Sequence, residues 1–306
     1  MKHNKAVVFA YHTVGVKCMS ALVEAGFDIR LVISHEDNPA ENIWFDSVVQ
    51  FCKKNGIPYI TPENAQSTEL LEKIRLLAPD YIFSFYYRHM IPTAVLACAK
   101  IAALNMHGSL LPKYRGRVPV NWAIIHGETQ TGATLHVMEE KPDAGDIVSQ
   151  KSIPIGSDET AHEVFQNVAN AAVEALKSVI PQLLEAEVPR RPNRIQEGSY
   201  FGGRKPQDGL IDWQLPAQQV YNLVRAVAPP YPGAFTDTAG RRWVITAARL
   251  ASQPNVRQAL PIGLQVVDNR IYGICGDGRA LLISRLESDG QEISPQYLQE
   301  MLLNHR

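Results

Sequence analysis

The chain has 306 residues, enough for one large domain or for two of roughly 150 residues each. Hydrophobic residues make up 45 % and charged residues 20 %, a globular composition that excludes a disordered chain and a coiled coil. Thirty Lys and Arg against 31 Asp and Glu leave a net charge of −1, so the broad positive field that gathers RNA or DNA is absent. The four cysteines, Cys18, Cys52, Cys98 and Cys275, form no CxxC pair; free thiols in a reducing compartment are expected. No apolar run has the length of a signal peptide or a bilayer span, so a cytoplasmic protein without membrane insertion is expected.

The first half alternates strand and helix patterns. The apolar run Ala6–Ala10 predicts a buried strand, and Lys17–Ala25 a helix stopped by Gly26. Strands follow at Ile29–Ser34, Ile57–Ile60, Tyr81–Phe85 and Ala102–Asn105, with helices at Asp46–Lys54 and Thr68–Leu77 between them. Such repetition implies parallel pairing and a doubly wound, mostly parallel α/β sheet. After a short helix at Trp122–His126 come two half-buried strands, Thr131–Met138 and Asp146–Ile155. A single long helix is predicted over Thr160–Leu184, capped by Ser157 or Asp158. Residues 189–209 are rich in Pro, Gly and Arg without apolar periodicity and read as a linker. Beyond it, a helix at Ala217–Ala228 and short apolar segments between turns predict a smaller C-terminal β-barrel (OB-like) domain. The expected organisation is therefore 1–188, linker, 210–306.

In a doubly wound sheet, ligands bind beyond the carboxyl ends of the strands. Tyr11–Gly15, after the first strand, is not GxGxxG, and no P-loop occurs. The stretch after Ala102 reads Asn105-Met106-His107-Gly108-Ser109-Leu110-Leu111-Pro112-Lys113-Tyr114-Arg115-Gly116-Arg117. In extended chain, Asn105 and His107 point to one face. An amide donor beside an imidazole suits a reaction that develops an oxyanion and moves a proton. Asp143, in the turn Lys141–Asp146, is the candidate to orient the imidazole; a structural role for each residue stays open from spacing alone. The histidines His12, His35 and His89 show no metal-ligand spacing, so no metal is expected, and His126, His136 and His162 are expected to pack or face solvent.

The blocks NMHGSLLPKYRGRVPVNWAIIHGE and KPDAGDIV resemble the signature of the folate-dependent formyltransferases. The resemblance covers most of the chain and implies a formyltransferase fold, N10-formyltetrahydrofolate as formyl donor, and an Asn–His–Asp catalytic triad at Asn105, His107 and Asp143. It places the folate near His89, Met90 and Ile91, the turn Glu139, Glu140, Lys141, Pro142 and Asp143, and Arg117. Adjacency adds Tyr114, Asn121 and Trp122 as sugar-site residues.

Within the family, Phe83–Pro92, Tyr114–Trp122 and Arg225–Phe235 look most like the formyltransferase domain of the bifunctional polymyxin-resistance enzyme of lipid A modification. That likeness implies UDP-4-amino-4-deoxy-L-arabinose as acceptor, in an excised domain or a free-standing homologue, with an oligomer or a separate decarboxylase as possible partner. The alternatives are a methionyl-tRNA formyltransferase, a hydrolase and a non-catalytic folate or nucleotide-sugar binding module. Against tRNA stands the segment Glu36–Glu41, with three acids and no Lys or Arg where a tRNA binder needs cations.

Overall fold

The computed structural model describes residues 4–38, 42–252, 254 and 260–304. The chain divides into two compact units. The first comprises Met1–Pro119, Gln130–Pro154 and Gln166–Gly202; the second comprises Val120–Thr129, Ile155–Phe165 and Gly203–Arg306.

The strands of the first unit are β1 (Lys5–Ala10), β2 (Asp28–Ile33), β3 (Tyr59–Ile60), β4 (Tyr81–Phe85), β5 (Ala102–His107), β6 (Arg115–Gly116), β7 (Gln130–Val137), β8 (Ile147–Pro154) and β9 (Tyr200–Phe201). Seven form one sheet in the order β3-β2-β1-β4-β5-β7-β8. β1 to β5 pair in parallel, and β7 and β8 add antiparallel strands beyond β5. β1 and β4 are buried almost throughout, as continuous apolar runs covered on both faces must be. β6 and β9 make a separate parallel pair.

Local chemistry sets the helix ends. Ser67 Oγ accepts the Leu70 N–H at 3.2 Å, starting the helix Thr68–Leu77. Gly56, at φ 66°, ends Val48–Asn55 in a left-handed cap that favours glycine. The expected single helix Thr160–Leu184 is instead two, Ala161–Lys177 and Ile180–Leu184. Pro181, in the first turn of the second, has no N–H to continue the ladder. Its expected caps, Ser157 and Asp158, are replaced by a reciprocal pair: Thr160 N–H donates to Glu163 Oε2 (2.8 Å) and Glu163 N–H to Thr160 Oγ1 (3.4 Å). Residues 189–202, expected as linker, are built into the first unit. Arg191 and Ile147 exchange backbone bonds of 2.9 Å in both directions, and Tyr200–Phe201 forms β9.

In the second unit, β10 (Ala234–Thr238), β11 (Arg241–Ala251), β12 (Gly263–Val267), β13 (Arg270–Ile274) and β14 (Ala280–Ser288) form an antiparallel sheet ordered β10-β11-β14-β13-β12. β15 (Gln291–Glu292) pairs with the end of β14. Register shifts in β11 between Ile245 and Ala248 add the twist that curls this barrel-like sheet. Its core gathers Trp243, Ile245, Leu281 and Leu286 with Val220, Tyr221 and Val224 of the helix Ala217–Ala226. Residues 120–129 and 155–165 belong to this unit because hydrogen bonds tie them to that helix. Asn121 Nδ2 donates to Ala226 O (2.7 Å), Arg225 Nη1 to Gly156 O (3.3 Å) and Glu159 O (3.1 Å), and Tyr221 Oη to Asp158 Oδ1 (2.8 Å).

Trp243 is fully buried, and its Nε1 donates to Thr238 O at 2.9 Å. Trp243→Ala is expected to destabilise this unit by about 3–5 kcal/mol, through lost transfer energy and a cavity. Denaturant unfolding of the full chain checks this; an unchanged midpoint would refute the packing described. Among the described residues, no helix is long and apolar enough to cross a membrane.

Candidate active site

β5 carries the first two groups. Its register against β7 sets Asn105 opposite His136 and His107 opposite Thr134. Side chains two apart on a strand share a face, so Asn105 and His107 from β5 meet Thr134 and His136 from β7. The predicted strand ended at Asn105; the ladder to β7 carries it two residues further. His107 is therefore the last residue of a strand, and it is only 6 % exposed.

Asp143 lies in the turn between β7 and β8, with φ +50°. Its carboxylate comes under three groups. Oδ1 is 3.5 Å from His107 Nδ1 and 3.4 Å from His136 Nε2, and Oδ2 accepts the Gly116 N–H at 2.8 Å. His136 Nε2 also lies 3.0 Å from Asn105 Nδ2. His136 thus lies between Asn105 and Asp143. Its Nδ1 donates to Val137 O at 2.9 Å, which fixes the ring and leaves Nε2 facing the site.

His107 Nε2 donates to Tyr114 O at 2.8 Å, so both ring nitrogens face oxygen. Burial alone would raise the Asp143 carboxyl. The His107 charge, the His136 hydrogen bond and charge, and the Gly116 N–H outweigh it and hold the carboxyl well below the usual carboxylate range. At neutral pH Asp143 is a carboxylate.

The loop from Gly108 to Arg117 is fixed against these groups. A Cβ at Gly108 would overlap Tyr86 Oη, and one at Gly116, φ +99°, would overlap Phe201 O. Tyr114 N–H donates to Ser199 Oγ at 2.9 Å, and the Tyr114 ring stacks on Phe201 with centroids 5.4 Å apart. Arg115 N–H donates to Ser199 O and Arg117 N–H to Phe201 O, both at 3.0 Å.

The remaining predicted residues divide. His89 and Met90 are exposed after β4, Met90 by 53 %, and Glu139, Glu140 and Lys141 are exposed around the Asp143 turn. Pro142 is half-buried and Arg117 exposed. Ile91 packs its side chain in the core with Ile82 and Val95 and can offer only backbone to a ligand. Tyr114 is buried; its side chain is held by Phe201 and its carbonyl by His107. Asn121 and Trp122 belong to the second unit. There Asn121 is 5 % exposed and bonded to Ala226 O, and the Arg204 guanidinium lies 4.8 Å over the Trp122 ring.

The carboxyl ends of β1, β2 and β4 carry an aromatic cluster. His12 stacks on Phe45 (4.1 Å) and His35 on Tyr87 (4.3 Å). His35 Nε2 accepts the Arg88 N–H at 3.2 Å, and burial, helped by the His89 and Arg88 charges, pushes its pKa down to about 4. In the acidic segment, Glu36 Oε1 accepts from Thr61 Oγ1 (3.3 Å) and Asp37 from Ser47 Oγ. Pro39, Ala40 and Glu41 lie outside the described residues.

Two family models match the chain: formyl transferase over residues 5–180, and the formyl transferase C-terminal domain over residues 204–299. The chain belongs to the formyl transferase family. The fold of this formyltransferase is shared by WlaRD, a sugar 3N-formyl transferase solved in the presence of dTDP and 5-N-formyl-THF (TM-score 0.70, 19 % identity, 95 % of this chain and 100 % of that one). The N-formyltransferase of Helicobacter canadensis, solved with folinic acid and dTDP-3-aminofucose, matches with TM-score 0.68 at 18 % identity over 95 % of this chain and 100 % of that one. A 4-N formyltransferase from Francisella tularensis matches with TM-score 0.64 at 23 % identity over 78 % and 95 %.

The sequence pattern alone leaves His136 among packing or solvent-facing residues. The formyltransferase structure instead sets it, 2 % exposed, between Asn105 and Asp143. The available signal was the Thr134-x-His136 alternation, which matches Asn105-x-His107 only once β5 and β7 are known to pair.

Proposed function

We propose that this formyltransferase moves a formyl group from N10-formyltetrahydrofolate to the amine of a nucleotide-linked amino sugar, UDP-4-amino-4-deoxy-L-arabinose. The observation that carries the chemistry is the convergence of His107 and His136 on Asp143, with the Asn105 amide held against His136. The folate donor supplies the formyl group.

The residues then take these roles. The Asn105 amide, beside His136, is placed to donate an N–H to the formyl oxygen, where negative charge develops as the amine attacks. His107 as imidazolium supplies further positive charge to that oxygen. The bond from the formyl carbon to folate N10 then breaks; His107 gives its proton to N10 and regains one from the attacking amine, directly or through water, while Asp143 orients the ring. The 3.5 Å between His107 Nδ1 and Asp143 Oδ1 exceeds the usual N–H···O range of about 2.7–3.2 Å.

A flat, polar heteroaromatic with a carboxylate tail fits the surrounding surface. Met90 exposes an apolar side chain after β4, backbone is available at Ile91 and along Glu139–Asp143, and Arg117 is exposed as a cation for a carboxylate. Glu36 and Asp37 make tRNA phosphate an unfavourable neighbour.

Purified protein supplied with N10-formyltetrahydrofolate is expected to formylate UDP-4-amino-4-deoxy-L-arabinose with a kcat/KM far above that for methionyl-tRNA. A higher value for a dTDP-amino sugar would replace the sugar and keep the class. Preference for tRNA, or donor hydrolysis unaffected by any amine, would overturn the proposal.

A further inference from the structure

The stretch 181–203 lies between the two parts of the chain that the family models match, and it contains Asn193. The Arg191–Ile147 bridge brings this stretch alongside the start of β8. Two residues on, the Asn193 amide nitrogen reaches the turn that carries Asp143. It donates to Asp143 O at 3.0 Å and to Gly145 O at 3.2 Å. One –NH2 group thus grips two carbonyls on either side of Ala144.

The turn needs such a grip. Asp143 sits at φ +50°, a left-handed conformation uncommon for a side-chain-bearing residue. Gly145 is pressed so closely on the end of β7 that a Cβ there would overlap Val137 O. Asn193 Oδ1 is buried without a hydrogen-bond partner among the described residues, so the two donor bonds are what its amide contributes.

We infer that Asn193 is a positioning residue: its two donor bonds set the Asp143 turn so that the carboxylate meets His107, His136 and the Gly116 N–H together. The inference rests on the proposed role of Asp143 in formyl transfer. Asn193 touches none of the reacting groups and acts through the backbone of the residue it holds.

The test uses the full chain with Asn193→Leu, which removes both donors at similar volume, and Asn193→Asp, which keeps the shape and turns oxygens toward the two carbonyls. Arg194→Ala, at an exposed neighbour, is the control. Expected for both Asn193 variants is a kcat lower by about 10–100-fold, since small misplacement of a catalytic group costs up to about 10²-fold. The KM for the folate donor should stay within about threefold, because binding common to ground and transition states is untouched. Proton NMR gives a readout that needs no substrate. The His107 ring-proton resonance on the Nδ1 side, 3.5 Å from Asp143, should shift, and the one donated to Tyr114 O should keep its position. Folded variants with wild-type kcat, or a lowered kcat with both resonances unchanged, would overturn the inference. If Asn193→Leu fails to fold, Asn193→Asp decides by the same readouts. If the wild type formylates no amine, the functional reading fails; the NMR comparison alone then decides whether Asn193 sets Asp143.

Discussion

His107→Ala lowers kcat by about 10²–10⁴-fold, the range expected when a positioned acid–base group is removed. The ring supplies what alanine cannot, a donor to Tyr114 O and a second ring nitrogen facing Asp143. Because His107 is buried at a strand end, the change also strips Tyr114 O of its closer donor and leaves it the Ser109 hydroxyl at 3.4 Å, so some loss of stability accompanies the loss of rate. His107→Gln separates the two effects, since its amide can still reach Tyr114 O while it cannot carry the charge. Steady-state kinetics on both variants, with thermal unfolding measured alongside, should show rate lost in both and stability lost mainly in alanine. A folded His107→Gln protein with kcat within about threefold of wild type would remove His107 from the chemistry.

Asp143→Asn gives an effect of similar size, about 10²–10⁴-fold in kcat, with a distinctive pH signature. The amide keeps the shape but loses the charge that holds His107 and His136. In the wild type the folded-state carboxyl is held below its unfolded value of about 3.9, so its contribution to stability is fully present above that pH. The contribution is lost as pH falls from there toward the folded value, because the unfolded chain then binds the proton more readily. Urea unfolding at a series of pH values should therefore show the stability gap between wild type and Asp143→Asn narrowing on acidification below about pH 4. A gap that stays constant or widens would show that no charge interaction stabilises Asp143.

The parts of this site visible in the sequence are those written in local patterns. Apolar runs separated by helical spacing gave away β1, β2 and β4, and Asn105 and His107 stood out because two residues of extended chain put them on one face. Asp143 is visible as a turn residue that could face the His107 loop, and the family resemblance strengthens that link. The rest depends on pairing between distant segments. His136 joins the site through the register of β5 against β7. Ser199 and Phe201 do so by laying β9 beside β6, and Asn193 through bonds to backbone carbonyls that place no demand on neighbouring residue types. The break at Pro181 was visible in principle, but the apolar face of Thr160–Leu184 runs through it and hides the missing donor.

The clamp from residues 193–201 also fixes when during synthesis the enzyme can first work. Asp143 leaves the ribosome 50 residues ahead of Asn193, and Tyr114 leaves 85 residues ahead of Ser199. At about 5–20 residues per second, both loops wait several seconds without the segment that holds them. The sheet from β1 to β8 has all its strands by then, so the nascent chain passes through a stage with a formed scaffold and an unfinished active site. The sheet of newly made protein is therefore complete before the proposed site is, and the segment that completes that site is one whose sequence reads as a connector.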